Sequence, residues 1–159
     1  MFRLGLIGGG RMGRTHLRAL ATSTQVTVTA IAETHAATAT ELRAAGHTVF
    51  DSVDELLTSG LIDGILIAAP SQRHLELVQA VAAAGLPILC EKPCGVVPEH
   101  ARAAQESAAQ AGVLLQVAYW RRFVPELARL RQQIVSGELG TLHFLACTQW
   151  DGEPPAAQF

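Results

Sequence analysis

Four groups of residues carry types that could do chemistry. Near the start, Gly8, Gly10 and Gly13 stand in the spacing G-x-G-x-x-G, and Glu33 closes a Val- and Thr-rich run farther on. Then come Pro70-Ser71-Gln72-Arg73-His74, Glu91-Lys92-Pro93, and Tyr119-Trp120-Arg121-Arg122-Phe123. In such a glycine spacing the first glycine permits a sharp turn out of a strand. The second lets backbone approach a diphosphate, and the third lets the following helix lie close to the strand. The free N–H groups near Arg11 and Met12 would face the phosphates at the positive end of the helix dipole. A carboxylate about 20 residues beyond the last glycine is the expected partner of an adenosine ribose, the place Glu33 takes. A lysine such as Lys92 can hydrogen-bond a reacting oxygen and stabilise developing negative charge. Its ammonium cannot itself accept a proton: to be the base it would need a lowered pKa, and otherwise it would assist another base.

These groups need elements to hold them. Residues 3–7 read as a first strand and residues 12–22 as a helix whose apolar positions are Met12, His16, Leu17 and Leu20. A second strand covers 26–32, an Ala-rich helix 36–45 stops at Gly46, and a short strand covers 48–50. Asp51 or Ser52 caps a short helix carrying Val53, Leu56 and Leu57. Residues 64–69 are an almost unbroken apolar strand, the pattern of a strand covered on both faces. Ser71 is expected to cap a long helix with Leu75, Val78, Val81 and Ala82, ending at Gly85. A fifth strand spans 87–90. Pro98 opens a helix to Gln110 that Gly112 stops, and a sixth strand spans 113–119. This alternation predicts an α/β fold: a doubly wound parallel sheet with helices on both faces, three layers in all. Ligands of such sheets sit beyond the carboxyl ends of the strands, where all of these polar groups fall.

Composition narrows the partners. At 159 residues, about one domain, the chain is 49% hydrophobic and 16% charged, which suits a packed core. A formal charge of −2 gives no basic field for nucleic acid. No apolar run approaches the ~20 residues of a membrane span, and residues 1–13 lack the form of a signal peptide. Cys90, Cys94 and Cys147 are an odd number, read as reduced thiols in a cytoplasmic protein. Cys90 and Cys94 have no second ligand pair, so no metal is expected. Singly, several candidates have plainer readings. Lys92 could be an exposed turn residue, His74 a packing residue at a helix start, and His16 a residue packed under the glycine turn. Arg121 and Arg122 could equally be solvated or ion-paired.

Taken together, Gly-Gly-Gly-Arg-Met-Gly-Arg-Thr-His, Ala-Pro-Ser-Gln-Arg-His, Cys-Glu-Lys-Pro and Tyr-Trp-Arg-Arg-Phe-Val-Pro occur in order at suitable spacing. In these the chain resembles the Gfo/Idh/MocA oxidoreductases, and among them the myo-inositol 2-dehydrogenase-like members. The resemblance implies a Rossmann domain that binds NAD(P) and serves oxidation of a sugar or polyol alcohol. Gly8, Gly10, Arg11 and Met12, with Gly13 beneath them, would hold the pyrophosphate. Glu33 would hold the ribose, and its charge favours NAD over NADP. Pro70, Ser71 and His74 would line the nicotinamide ribose. Glu91 and Lys92 would lie beside the nicotinamide ring, with Lys92 catalytic and the Lys92–Pro93 bond cis. Arg122 would lie near the nicotinamide or substrate.

The resemblance also implies a division. Residues 1–122 form the nucleotide-binding domain. Residues 123–159 hold a linking helix (123–136) and a strand (141–150) that begins a second, substrate domain. Members of that family place a nearby Asp and His in the second domain, and no Asp-x-x-x-His occurs in this chain. The expectation is a fragment that binds NAD without turning over alone, and that self-associates through poorly covered apolar faces. Two other readings remain: a non-catalytic NAD-binding module or sensor, and a family reductase acting on a non-sugar substrate.

Overall fold

The computed structural model describes residues 1–148. Its centre is a six-stranded sheet: β1 (Phe2–Ile7), β2 (Val26–Ala32), β3 (Val49–Phe50), β4 (Gly64–Ile67), β5 (Ile88–Cys90) and β6 (Leu115–Val117). The strands lie in the order β3-β2-β1-β4-β5-β6. Every neighbouring pair is parallel. The order reverses between β1 and β4, and this places a crevice at the carboxyl end of β1.

Five helices cover this sheet: α1 (Arg11–Leu20), α2 (Ala36–Ala44), α3 (Val53–Thr58), α4 (His74–Ala83) and α5 (Pro98–Ala111). Successive strand residues point to opposite faces. Leu4, Leu6, Ile31 and Leu66 thus pack on one side with Leu42 of α2 and Leu17 and Leu20 of α1. Ile7, Ala30, Ala32, Ile65 and Ile67 pack on the other with Leu56 of α3, Val78 and Val81 of α4, and Ala104 of α5. Each fully buried Leu, Ile or Val stabilises the fold by about 1.5–3 kcal/mol relative to exposure. The three-layer arrangement read from the sequence is the one that forms, and all six strands occur where apolar runs predict them.

Several local signals act as their chemistry requires. The Ser52 hydroxyl caps α3 by accepting the Glu55 N–H at 3.2 Å. Gly112 ends α5 in the left-handed conformation, φ 68°. The Ser71 cap is a correction. Ser71–Arg73 forms a 3-10 turn, and α4 begins after it at His74 with Arg73 in the capping position and no side chain bonded there. Pro70 is the extended residue that precedes this turn, φ −57° and ψ 140°.

The chain divides into two compact units, one ending at Tyr119 and one starting at Trp120, three residues before the division read from the sequence. The second unit contains a 3-10 turn (Trp120–Phe123) and α6 (Pro125–Val135). The strand expected over residues 141–150 does not form over 141–148, and residues 149–150 lie outside the described residues. A strand gains its hydrogen bonds from a neighbour, and no ladder to these residues exists among the described ones. No helix among the described residues is long and apolar enough to cross a membrane.

Candidate functional site

The turn from β1 into α1 is built by its glycines. Gly8 has φ +95°, and a Cβ there would sit 2.9 Å from the backbone of Ala68 and Ala69, so no other residue fits the turn. A Cβ on Gly13 would strike the Gly8 carbonyl oxygen, which lets α1 rest directly on the turn. Gly10 differs from both. Its φ of −69° suits any residue, and a Cβ there would meet nothing within 4 Å. Neither backbone nor packing demands glycine at this position.

Gly10 opens on a cleft of about 400 Å³ lined by Gly8, Arg11, Met12, Glu33, His35, Pro70 and Arg73, among others. The first turn of α1 has no side-chain cap and no acidic residue. Its N–H groups and dipole therefore remain free to take an anion. Across the cleft, Glu33 extends from the end of β2. Its Oε2 accepts the Gly9 N–H at 2.8 Å and its Oε1 the His35 N–H at 2.7 Å. These two bonds hold the carboxylate at the wall, with lone pairs left for hydroxyl donors. An open cradle, an uncapped helix start and a fixed carboxylate fit a dinucleotide.

The remaining predicted residues fall in other places. Gly13 is buried below the turn. Ser71 is half-buried at the edge of the 3-10 turn. His74, expected against the nicotinamide ribose, is 1% exposed. Its Nδ1 lies 2.7 Å from the Pro93 carbonyl oxygen and its Nε2 2.9 Å from that of Ala69. The side chain is thus a brace between two strand-end loops, the plainer of the two readings of this residue. Lys92 is exposed, and the Lys92–Pro93 peptide is cis. Glu91 is 8% exposed. Its Oε2 accepts the Lys92 N–H at 3.1 Å, and its Oε1 lies 2.8 Å from His16 Nε2. Arg122 belongs to the second unit, where with Arg121, Leu127 and Arg131 it lines an open groove along α6.

Three participants escaped the sequence reading. His16 reaches across to Glu91 instead of only packing under the glycines. Arg14 donates from Nε to the Gly9 carbonyl at 3.2 Å and pairs with Glu41 of α2, tying the turn to that helix. His35 caps α2 by accepting the Thr38 N–H, so the Glu33 end of the cleft coincides with a helix start. The short interval between Glu33 and the Ala-rich helix is the one signal that could have shown this. Beneath the loop, the Cys90 thiol is held above its ordinary range by its hydrogen bond with the Cys94 sulfur and by burial. No group of three His, Cys, Asp or Glu residues among the described ones could hold a metal ion.

A parallel sheet with its crevice at the glycine turn and an acid closing the second strand defines a dinucleotide-binding Rossmann domain. The chain belongs to the GFO_IDH_MocA oxidoreductase family, NAD-binding Rossmann fold, whose model matches residues 2–119. It is 49% identical over 158 residues to the rhizopine catabolism protein MocA of Rhizobium meliloti, covering 99% of this chain and 50% of that one. The WlbA dehydrogenase of Bordetella pertussis, solved with NADH and UDP-GlcNAcA, superposes with TM-score 0.83 at 29% identity, covering 87% of this chain and 41% of that one. A scyllo-inositol dehydrogenase of Lactobacillus casei, solved with NAD(H) and scyllo-inositol, superposes with TM-score 0.80 at 26% identity, covering 88% and 42%. The chain thus spans about half the length of the curated relatives it matches.

Proposed function

We propose that this chain is the cofactor-binding part of an NAD-dependent oxidoreductase acting on a carbinol of a sugar or polyol, inositol-like in class. The observation that carries the reading is Gly10: a glycine with ordinary backbone angles and open space where its side chain would lie, at an uncapped helix start. Gly8, Gly10, Arg11 and Met12 hold the diphosphate, and Gly13 seats the helix that does so. Glu33 takes the adenosine ribose hydroxyls. Its charge repels a 2′-phosphate, so NAD is preferred to NADP. Pro70 and Ser71 border the nicotinamide ribose, and His74 supports that border from below.

When bound, the nicotinamide supplies a hydride acceptor or donor. Lys92 hydrogen-bonds the reacting oxygen and stabilises its developing charge, while another group takes the proton. Glu91 stands behind Lys92. That the relatives are about twice as long supports a chain that binds NAD but does not turn over alone. Exposed Phe123, Val135, Phe144 and Leu145 support self-association into a homo-oligomer. A cytoplasmic setting agrees with the buried thiols of Cys90 and Cys94 being free.

The relatives solved with an inositol and with a nucleotide sugar support the sugar or polyol class as substrate. Calorimetric titration tests the cofactor half: NAD is expected to bind at least tenfold tighter than NADP, and equal or reversed affinities would contradict it. Steady NADH production from the purified chain with inositol would contradict the inactivity of the chain alone.

A further inference from the structure

Lys92 stands between two residues that are each gripped by an imidazole. On one side, Glu91 Oε1 lies 2.8 Å from His16 Nε2, and its Oε2 accepts the Lys92 N–H at 3.1 Å. On the other, the Pro93 carbonyl oxygen lies 2.7 Å from His74 Nδ1. His16 comes from α1 and His74 from α4, helices whose apolar side chains pack on opposite faces of the sheet. We infer that His16 and Glu91, with His74 opposite them, are positioning residues that hold Lys92 at a fixed distance from the start of α1. This rests on the reading of Lys92 as the residue that meets the reacting oxygen.

His16 lies three residues after Gly13, so both are on the inward face of α1. Gly13 is seated on the Gly8 carbonyl, and this makes α1 a rigid mount. His16 is about 7–8 Å along the axis from Arg11, at 1.5 Å per residue. The same short helix therefore presents its N–H groups to the diphosphate and its imidazole to the Lys92 loop. A bound dinucleotide fixes the span from diphosphate to nicotinamide. The protein must fix a matching span from its diphosphate mount to Lys92, and the His16–Glu91 contact is the link that does so.

Glu91 is nearly buried, and a buried carboxylate must be satisfied by donors. Its side-chain partners are His16 and the Lys92 N–H. Its own N–H is fixed to the Ile67 carbonyl of β4 at 2.9 Å, so its backbone cannot follow a rotating side chain. Removing the imidazole leaves the carboxylate with one partner. It then turns toward water, and the Lys92 N–H loses its acceptor. The Lys92 amide should report this directly.

The test measures amide hydrogen exchange by NMR in this chain for wild type, His16→Ala and His16→Gln, with calorimetric titration of NAD alongside. His16→Ala is expected to speed exchange at Lys92 at least tenfold, while Val78 and Val81 in the core of α4 change less than twofold. His16→Gln, which restores an N–H donor, should return Lys92 to within threefold of wild type. Unchanged Lys92 exchange in His16→Ala overturns the proposal. So does an equal rise at Val78 and Val81, which marks general loosening, or a failure of His16→Gln to recover. Absence of NAD binding in the wild-type titration would instead sink the functional reading and leave the exchange result standing.

Discussion

Glu33 Oε2 lies 2.8 Å from the Gly9 amide, so the acid at the end of β2 and the glycine turn after β1 are joined by a direct hydrogen bond. The wall of the cleft is thereby built before any ligand arrives. Its other oxygen accepts the His35 N–H at 2.7 Å, so each carboxylate oxygen is held by a backbone amide. A charged hydrogen bond from a ribose hydroxyl to this carboxylate would contribute about 1.5–3 kcal/mol. Glu33→Ala should therefore weaken NAD binding by about tenfold or more and bring NADP to within a few-fold of NAD. Calorimetry with both nucleotides checks this, and unchanged affinity for both would remove Glu33 from the ribose site.

Lys92 is exposed beside a buried Glu91, in a loop held from both sides. In a protein that contains this chain and turns over, Lys92→Ala should lower kcat by about 10²–10³-fold, the scale for losing one donor to a developing oxyanion. NAD affinity should change less than threefold. Equal losses in both would make Lys92 a binding residue only.

How far the site could be read from the sequence depends on the range of the interactions. The glycine turn and Glu33 were legible because each follows from a local rule about φ, close approach or the end of a strand. The alternating strands and helices were legible for the same reason, through period-two and helical apolar patterns. His16 with Glu91 was not, since the two residues are 75 positions apart and nothing local pairs them. His74 reads from the sequence as a candidate ligand because it follows a strand end. Only the fold shows that two carbonyl groups, from Ala69 and Pro93, already face its ring. The strand read over residues 141–150 failed on 141–148 because side-chain alternation states which faces a strand would have, not whether a neighbour exists to pair with it.

The three cysteines should react in two classes. Cys147 is exposed, whereas Cys90 and Cys94 are buried. The Cys90 thiol is further kept protonated by its hydrogen bond with Cys94 and by burial. Titration of the native chain with a disulfide reagent should show one fast thiol, and denaturant should release the other two. Three equally fast thiols would contradict the packing beneath the Lys92 loop.

Asp63 anchors the start of β1. Its carboxylate accepts the Arg3 N–H at 2.8 Å and pairs with the Arg3 guanidinium. Hydrogen bonds from the Arg3 side chain and backbone hold its pKa below the ordinary 3.8. A carboxylate depressed on folding stabilises the native state above its unfolded pKa, and that stabilisation is lost as pH falls through the folded value. The Tm gap between wild type and Asp63→Asn should thus be constant from pH 7 down to about pH 5 and shrink below about pH 4. A gap that persists unchanged at low pH would show that the pair acts by shape alone. High salt should narrow the gap at neutral pH, since the pair is exposed.

On the proposed function, Gly10 is a glycine for the sake of a nucleotide. The most direct measurement is calorimetric titration of NAD into wild type and Gly10→Val, with thermal unfolding of both. Nothing lies within 4 Å of a Cβ at Gly10. Valine there should therefore cost the fold only about 1 kcal/mol, the scale of a poorer helix N-cap. A near-native Tm is expected in Gly10→Val, with NAD binding lost by at least a hundredfold. Undiminished NAD binding in Gly10→Val, or no NAD binding in the wild type, would contradict it.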